Sequence, residues 1–254
     1  MKLTIKEIGD ITGGQAVGDP SALVTGVSID SRSIDKNQLF VPIKAKRNGH
    51  DFVSDAIRNG ATGHLFSEGK AQGNAVKVND TIIALQDLAK FERKRITGDV
   101  IGITGSVGKT TTKDILFASL RNLTEVHVSK LSFNNELGLP LTILSAESST
   151  KHLILEMGAR GPGQIAELAK IATPTIGIVT RVASANTQFF QDIDHIAETK
   201  GALVELLPSS GTAILNNDDP RVAEMSKRTN AEIVTYGLED ATVTARKISI
   251  NNDL

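Results

Sequence analysis

Lys109 and Thr110 follow directly on Gly105-Ser-Val-Gly108, and an apolar run, Val100-Ile-Gly-Ile-Thr104, leads into those glycines. The β and γ phosphates of a nucleotide need several backbone N–H groups aimed at one point, a cation and a hydroxyl to hold Mg2+. Gly105 and Gly108 supply the backbone freedom, Lys109 the charge and Thr110 the hydroxyl, while Ser106, Val107 and Thr111 complete the cradle. The strict form of this motif has its first glycine where this chain has Ile103, which shifts weight onto context. That context is a β-rich run before the loop and helical periodicity from Lys113 to Arg121 after it. A plain Gly/Ser turn accounts for the glycines but not for a Lys-Thr pair at a helix N-terminus.

Other candidates stand near predicted strand ends. Glu156 closes the apolar strand His152-Leu-Ile-Leu-Glu156, where a carboxylate can ligate Mg2+ bridging nucleotide phosphates, although an acid there is often only solvated. Phe133-Asn-Asn-Glu-Leu-Gly-Leu-Pro140 enters an apolar helix that Asn134 or Asn135 could cap, leaving the neighbouring amide for a phosphate or carboxylate. Asn216 could meet a nucleotide base at the end of Thr212–Asn216, and Pro220 starts a helix that Asp218 or Asp219 could cap. Lys200 lies in the helical run Ile193–Leu207 and on spacing alone reads as a solvated lysine. Ser31, Arg32 and His50 sit in turn-like segments rich in hydroxyls, Arg and Lys. Such clusters can bind a diphosphate, though a solvated loop is the default for either segment alone.

The elements that must position these groups fall into two regions. Before residue 97 the periodicity predicts helices over Thr4–Thr12, Asp51–Asn59 and Thr81–Arg95, with strands over Ala22–Ile29, Leu39–Ile43, Ala61–Phe66 and Ala75–Val78. From Val100 strand and helix alternate strictly, the pattern of a parallel sheet covered on both faces. Its strands are expected at Val100–Thr104, Glu125–Val128, His152–Glu156, Thr175–Thr180, Thr212–Asn216 and Glu232–Tyr236. The fold class is α/β: a small α/β N-terminal domain, 1–96, then a P-loop parallel-sheet ATPase-like domain, 97–254. Ligands of such sheets sit beyond the carboxyl ends of the strands. The final run, Ile248–Leu254, is strand-like with nothing after it, so the second domain is expected to be C-terminally incomplete.

Bulk properties narrow the partners. At 254 residues, with 28 Lys+Arg against 29 Asp+Glu and a pI near 6.5, the chain has no net charge to draw nucleic acid or an anionic membrane. It has no cysteine, hence no disulfide framework, thiolate metal site or thiol nucleophile. The charged N-terminus is no signal peptide and no apolar run reaches membrane-spanning length, so a cytoplasmic protein is expected.

Taken together, Asp30-Ser-Arg32, Gly49-His-Asp-Phe52, Thr104-Gly-Ser-Val-Gly-Lys-Thr-Thr-Thr-Lys113, Phe133–Pro140, Glu156-Met-Gly-Ala159 and Leu215-Asn-Asn-Asp-Asp-Pro220 resemble the Mur ligase family, the ATP-dependent amide ligases of peptidoglycan precursor synthesis. The likeness spans nearly the whole chain. It is nearest the branch that joins D-alanyl-D-alanine to UDP-N-acetylmuramoyl-tripeptide through an acyl phosphate. The resemblance implies ATP and Mg2+ as cofactors and the uridine nucleotide of the substrate at Ser31, Arg32 and His50. It implies phosphate contact by Lys109, Mg2+ at Thr110 and Glu156, and Asn134 or Asn135 facing the reacting groups. Lys200 matches the lysine that the family carbamylates into a ligand for a second Mg2+.

Two departures accompany the likeness. Asn186 stands where the family has a metal-binding histidine, and an amide is a weaker partner for that second metal. The family also has a third domain, so this chain alone is expected to turn over little or not at all. A binding module without turnover, or a sister ligase such as a folylpolyglutamate synthase, are the alternatives; the latter does not account for Asp30-Ser-Arg32.

Overall fold

The long apolar strand that begins at Asp99 marks a change of architecture. The computed structural model describes residues 1–129, 133–184 and 190–246. It divides into two units, residues 1–97 with 129–150 and residues 98–128 with 151–254.

The first unit opens with β1 (Leu3–Thr4) and α1 (Ile5–Thr12). Thr4 starts the helix because its hydroxyl accepts from the Glu7 N–H while the Glu7 carboxylate takes the Thr4 N–H, two otherwise unpaired donors satisfied reciprocally. There follow β2 (Gln15–Val17), β3 (Leu23–Val24), β4 (Val27–Ser28), β5 (Leu39–Phe40), a 3-10 turn Gly49–Phe52, α2 (Val53–Arg58), β6 (Gly63–Phe66), β7 (Ala75–Lys77) and α3 (Thr81–Arg93). The sheet order is β2-β7-β6-β5-β4, parallel except for the β2–β7 edge. The single strand expected over Ala22–Ile29 is two, divided around Gly26: β3 pairs with β1 and β4 with β5. The helix expected from Asp51 starts as the 3-10 turn, and β2, too short to show alternation, carried no signal.

The second unit runs β8 (Asp99–Thr104), α4 (Lys109–Leu120) and β9 (Val126–Val128). The chain then leaves it for α5 (Gly138–Ser145), which packs against α3 in the first unit rather than covering the second sheet, as the alternation had suggested. It returns with β10 (His152–Glu156), α6 (Gln164–Ala172), β11 (Ile176–Val179), α7 (Ile193–Glu205), β12 (Thr212–Asn216), α8 (Pro220–Ala223), a 3-10 turn Glu224–Arg228, β13 (Glu232–Gly237) and β14 (Val243–Thr244).

Among the described residues this sheet is wholly parallel, in the order β14-β13-β12-β11-β8-β10-β9. Val100, Ile103, Leu153, Ile154 and Leu155 are fully buried, the near-continuous apolar strands that a sheet covered on both faces requires. Each such side chain stabilises the fold by roughly 1.5–3 kcal/mol. α7 lies close over the sheet because Gly102 and Gly177 present no side chain to it; a Cβ on Gly102 would stand 2.9 Å from Leu203 Cδ1.

Candidate functional site

Strand β8 lies between β10 and β11, and the chain proceeds to one side of it first and to the other afterwards. The order therefore reverses at β8, and in open α/β sheets the opening beyond the carboxyl ends of the strands at such a reversal is where ligands sit. Glu156 pairs across from Ile103 and Val179 from Thr104, so the three strands end level with one another.

Gly105–Gly108 occupies that opening and leads into α4. Gly105 has φ +152° and Gly108 has φ +86°, conformations that side-chain-bearing residues rarely adopt. Gly108 is the N-cap of α4, and no side chain caps this twelve-residue helix, which leaves its N-terminal partial positive charge to an anion. Ile103, the departure from the strict motif, is a fully buried residue of β8, packed with Ile101, Ile154 and Ile178. The loop thus begins at Gly105, and Ile103 belongs to the core.

Lys109 Nζ donates to Gly105 O at 2.8 Å. Burial lowers its pKa and the Glu156 carboxylate partly offsets that. Thr110 Oγ1 donates to Glu156 Oε2 at 2.9 Å, with Glu156 only 2% exposed. A hydroxyl and a carboxylate at that spacing are the hard oxygen donors that Mg2+ takes alongside phosphate and water, so the pair fits the metal.

Lys200 overturns the solvated reading, being 6% exposed. It shares a face of α7 with Ile196 and Leu203, both buried, at the i, i+4, i+7 spacing of an apolar stripe. Burial, and then the charge of Lys109, bring its pKa down to about 8. An amine so placed is still mostly protonated at pH 7, but it holds far more of the neutral form, the form that reacts with CO2, than an ordinary lysine does.

Asn216 Nδ2 donates to Thr180 O at 2.8 Å and its Oδ1 accepts from Asp218 N at 3.0 Å, so its amide is engaged within the strand ends. Of the two alternatives for the α8 cap, Asp219 fills the role, accepting from Arg221 N. Asn135 Oδ1 accepts from Leu137 N and Gly138 N at the start of α5, the capping role, and Asn134 and Asn135 both belong to the first unit. Asn186 and the terminal run from Ile248 lie outside the described residues.

In the first unit, Ser31 and Arg32 line a cavity of about 910 Å³, together with Arg47, Phe52 and Arg58. Arg47 stacks over the Phe52 ring at 5.0 Å. Arg32 is forked onto Asp30, Nε to Oδ1 at 2.9 Å and Nη2 to Oδ2 at 2.6 Å, which holds the Asp30 pKa down to about 2. His50 does not line this cavity. It faces a hollow of about 260 Å³ with His64, its Nε2 accepting from Ser67 N at 3.1 Å and its Nδ1 donating to Asn48 Oδ1 at 2.9 Å. Sequence reasoning missed Thr180, which contacts the phosphate loop from the end of β11.

Two family models match the chain: Mur ligase family, catalytic domain, over residues 23–94, and Mur ligase middle domain, over residues 103–253. The UDP-N-acetylmuramoyl-tripeptide--D-alanyl-D-alanine ligase of Synechocystis sp. is 38% identical over 87% of this chain and 50% of its own. A crystal structure of MurF from Acinetobacter baumannii superposes with a TM-score of 0.91 at 26% identity, covering 98% of this chain and 56% of that one. MurF ligase from Thermotoga maritima, solved in complex with ADP, gives 0.79 at 34% identity, covering 86% and 51%. The chain spans about half the length of the curated relatives it matches. No described helix is long and apolar enough to cross a membrane. Because the middle-domain model alone covers more than half of the 254 residues, and the sheet carries its phosphate loop at the reversal of strand order, the chain belongs to the Mur ligase family.

Proposed function

We propose that this chain serves the ATP-dependent ligation of D-alanyl-D-alanine to UDP-N-acetylmuramoyl-tripeptide, a step of peptidoglycan precursor synthesis. One observation carries the reading: Thr110 and Glu156 share a hydrogen bond beside the Lys109 ammonium, and the charge of Lys109 is felt at a buried Lys200. The names of the relatives supply the substrates.

Bound MgATP would supply the γ-phosphoryl group that activates the tripeptide's terminal carboxylate as an acyl phosphate, leaving ADP; the amine of D-alanyl-D-alanine then attacks that carbon, expelling inorganic phosphate and losing a proton to give the amide. The protein's share is positioning and electrostatics. The N-terminus of α4 and its uncapped N–H groups hold phosphate oxygens, and Lys109 leaves the carbonyl of Gly105 to follow their charge. Thr110 and Glu156 would hold Mg2+. Lys200 would act as a carbamate: its ammonium first loses a proton, and the neutral amine then takes up CO2 and releases a second, which would turn a buried cation into an oxygen ligand for a second Mg2+. In the first unit the cavity lined by Ser31, Arg32, Arg47 and Arg58 receives the uridine diphosphate moiety, with guanidinium groups matched to diphosphate oxygens. His50 supports that region from the neighbouring hollow.

The test is titration of the 254-residue chain with ADP and ATP in the presence and absence of Mg2+, and separately with UDP-N-acetylmuramoyl-tripeptide, beside a phosphate-release assay with all substrates. Mg2+-dependent nucleotide binding that Lys109→Ala weakens by about 10- to 100-fold, with the melting temperature kept, supports the reading. Nucleotide binding indifferent to Lys109 sinks it.

A further inference from the structure

Thr180 follows β11 directly, is buried, and takes no part in the chemistry above. Its Oγ1 donates to Val107 O at 2.6 Å, and its N–H donates to Thr104 O at 3.0 Å. A Cβ built on Gly105 would stand 1.9 Å from that same Oγ1, so the hydroxyl occupies the space a side chain at 105 would need. The neighbour of a Cβ on Gly108 is again Thr180, through its Cβ at 3.7 Å.

The segment that carries Thr180 is braced from the other side. Asn216 Nδ2 donates to Thr180 O at 2.8 Å, the Tyr236 hydroxyl donates to the same oxygen at 3.3 Å, and Asp219 Oδ2 accepts from Val182 N at 2.8 Å. The loop in turn reaches back to it: Ser106 N donates to Arg181 O at 2.6 Å and Ser106 Oγ to Ala183 O at 3.0 Å. The ends of β12 and β13 thus hold the end of β11, and the end of β11 holds the phosphate loop.

An anion site built from backbone has to turn N–H groups toward the ligand and carbonyl oxygens away, since a carbonyl facing phosphate repels it. In this loop Gly105 O accepts from Lys109 Nζ and Val107 O accepts from Thr180. Across a trans peptide the carbonyl and the following N–H point to opposite sides, so anchoring Val107 O at Thr180 directs the Gly108 N–H away from β11.

We propose that Thr180 is a positioning residue for nucleoside polyphosphate: its hydroxyl orients the Val107–Gly108 peptide and fixes the loop in the shape that receives the phosphates. The proposal rests on the nucleotide reading above. It is tested by calorimetric titration of the full chain and of Thr180→Val, Thr180→Ser and Thr180→Ala with MgADP, beside thermal melts and the amide NMR signal of Gly108.

The expected result is an affinity loss of about tenfold or more for valine and alanine, with serine within about threefold of wild type. The Gly108 amide is expected to shift on ADP addition in wild type and serine and to lose most of that shift in the other two. A merely structural threonine would lower the melting temperature and leave the Gly108 response intact, which overturns the proposal. Should valine not fold, equal affinities for serine and alanine overturn it. Absence of ADP binding by wild type overturns the nucleotide reading and this proposal together, whereas wild-type binding that valine retains overturns this proposal alone.

Discussion

Thr110 Oγ1 donates to Glu156 Oε2 at 2.9 Å, joining the first turn of α4 to the last residue of β10. With Glu156 nearly inaccessible, the pair is fixed before any ligand arrives. Glu156→Gln keeps the size and the acceptor oxygen but removes the charge. It is expected to lower ADP affinity by about tenfold or more in excess Mg2+ and to change affinity in EDTA far less, since without the metal only Lys109 senses the lost charge. Equal losses with and without metal would assign Glu156 to the loop rather than to Mg2+.

Lys200 makes a pH-dependent prediction. Its pKa in the fold is about 8, below the ordinary lysine value, so the unfolded chain binds the proton more readily. The sign follows: the contribution to stability is fully present above about pH 10.5 and is lost as pH falls through 8. Lys200→Met is therefore expected to raise the unfolding free energy measured in urea at pH 7 by an amount on the order of 1–3 kcal/mol, and the gain is expected to shrink toward pH 10. A gain constant with pH would mean packing, not charge, is responsible.

His50 and His64 both accept backbone N–H groups at Nε2, from Ser67 and Gln72, while Nδ1 donates to Asn48 Oδ1 and Leu65 O respectively. Burial lowers both pKa values; His50 also faces Glu68, Lys44 and Asp51, and His64 faces His50. Histidines with depressed values stabilise the fold above about pH 6.5, and that stability is lost as pH falls through the folded values. Nitrogen NMR is expected to find both rings as the Nδ1–H tautomer at pH 7.5, with midpoints below 6.5 and the Ser67 and Gln72 amides moving with them. Midpoints at or above 6.5 would contradict burial as the cause that sets both rings.

Ile103 gives a prediction against motif logic. Replacing it with glycine would restore the strict nucleotide-loop spacing, yet Ile103 is fully buried in β8. Ile103→Gly is expected to cost upwards of about 3 kcal/mol in urea denaturation and to bring no gain in ADP affinity. Tighter ADP binding by that variant would place residue 103 in the loop after all.

How far the fold and site were legible depends on the distance over which each signal acts. The phosphate loop, the apolar strands around it and the cap before Pro220 are local, and their residues announce them within a few positions. Lys200 was misread: its charged head group argued for solvent, although Ile196, Lys200 and Leu203 follow one helical stripe that the fold buries. Thr180 had no such signal, because the carbonyl it holds belongs to a residue 73 positions earlier, and a lone threonine after a strand carries nothing to mark it. The placement of α5 was hidden for the same reason: its apolar faces say that it is buried, not which unit buries it. His50 and Arg32 look alike as polar loop residues, and only the tertiary fold sends them to different hollows.

The missing side-chain cap on α4 has a thermodynamic consequence. Most helices carry their own first-turn acceptor in the chain, whereas this one leaves the position to a solute. A phosphate that arrives there completes a secondary structure, so ligand concentration enters the folding equilibrium of the second unit directly. At a hundred times Kd such a solute adds about 2.7 kcal/mol to the unfolding free energy. With nucleotide as that solute, as proposed above, the unit is expected to resist unfolding more strongly as nucleotide concentration rises.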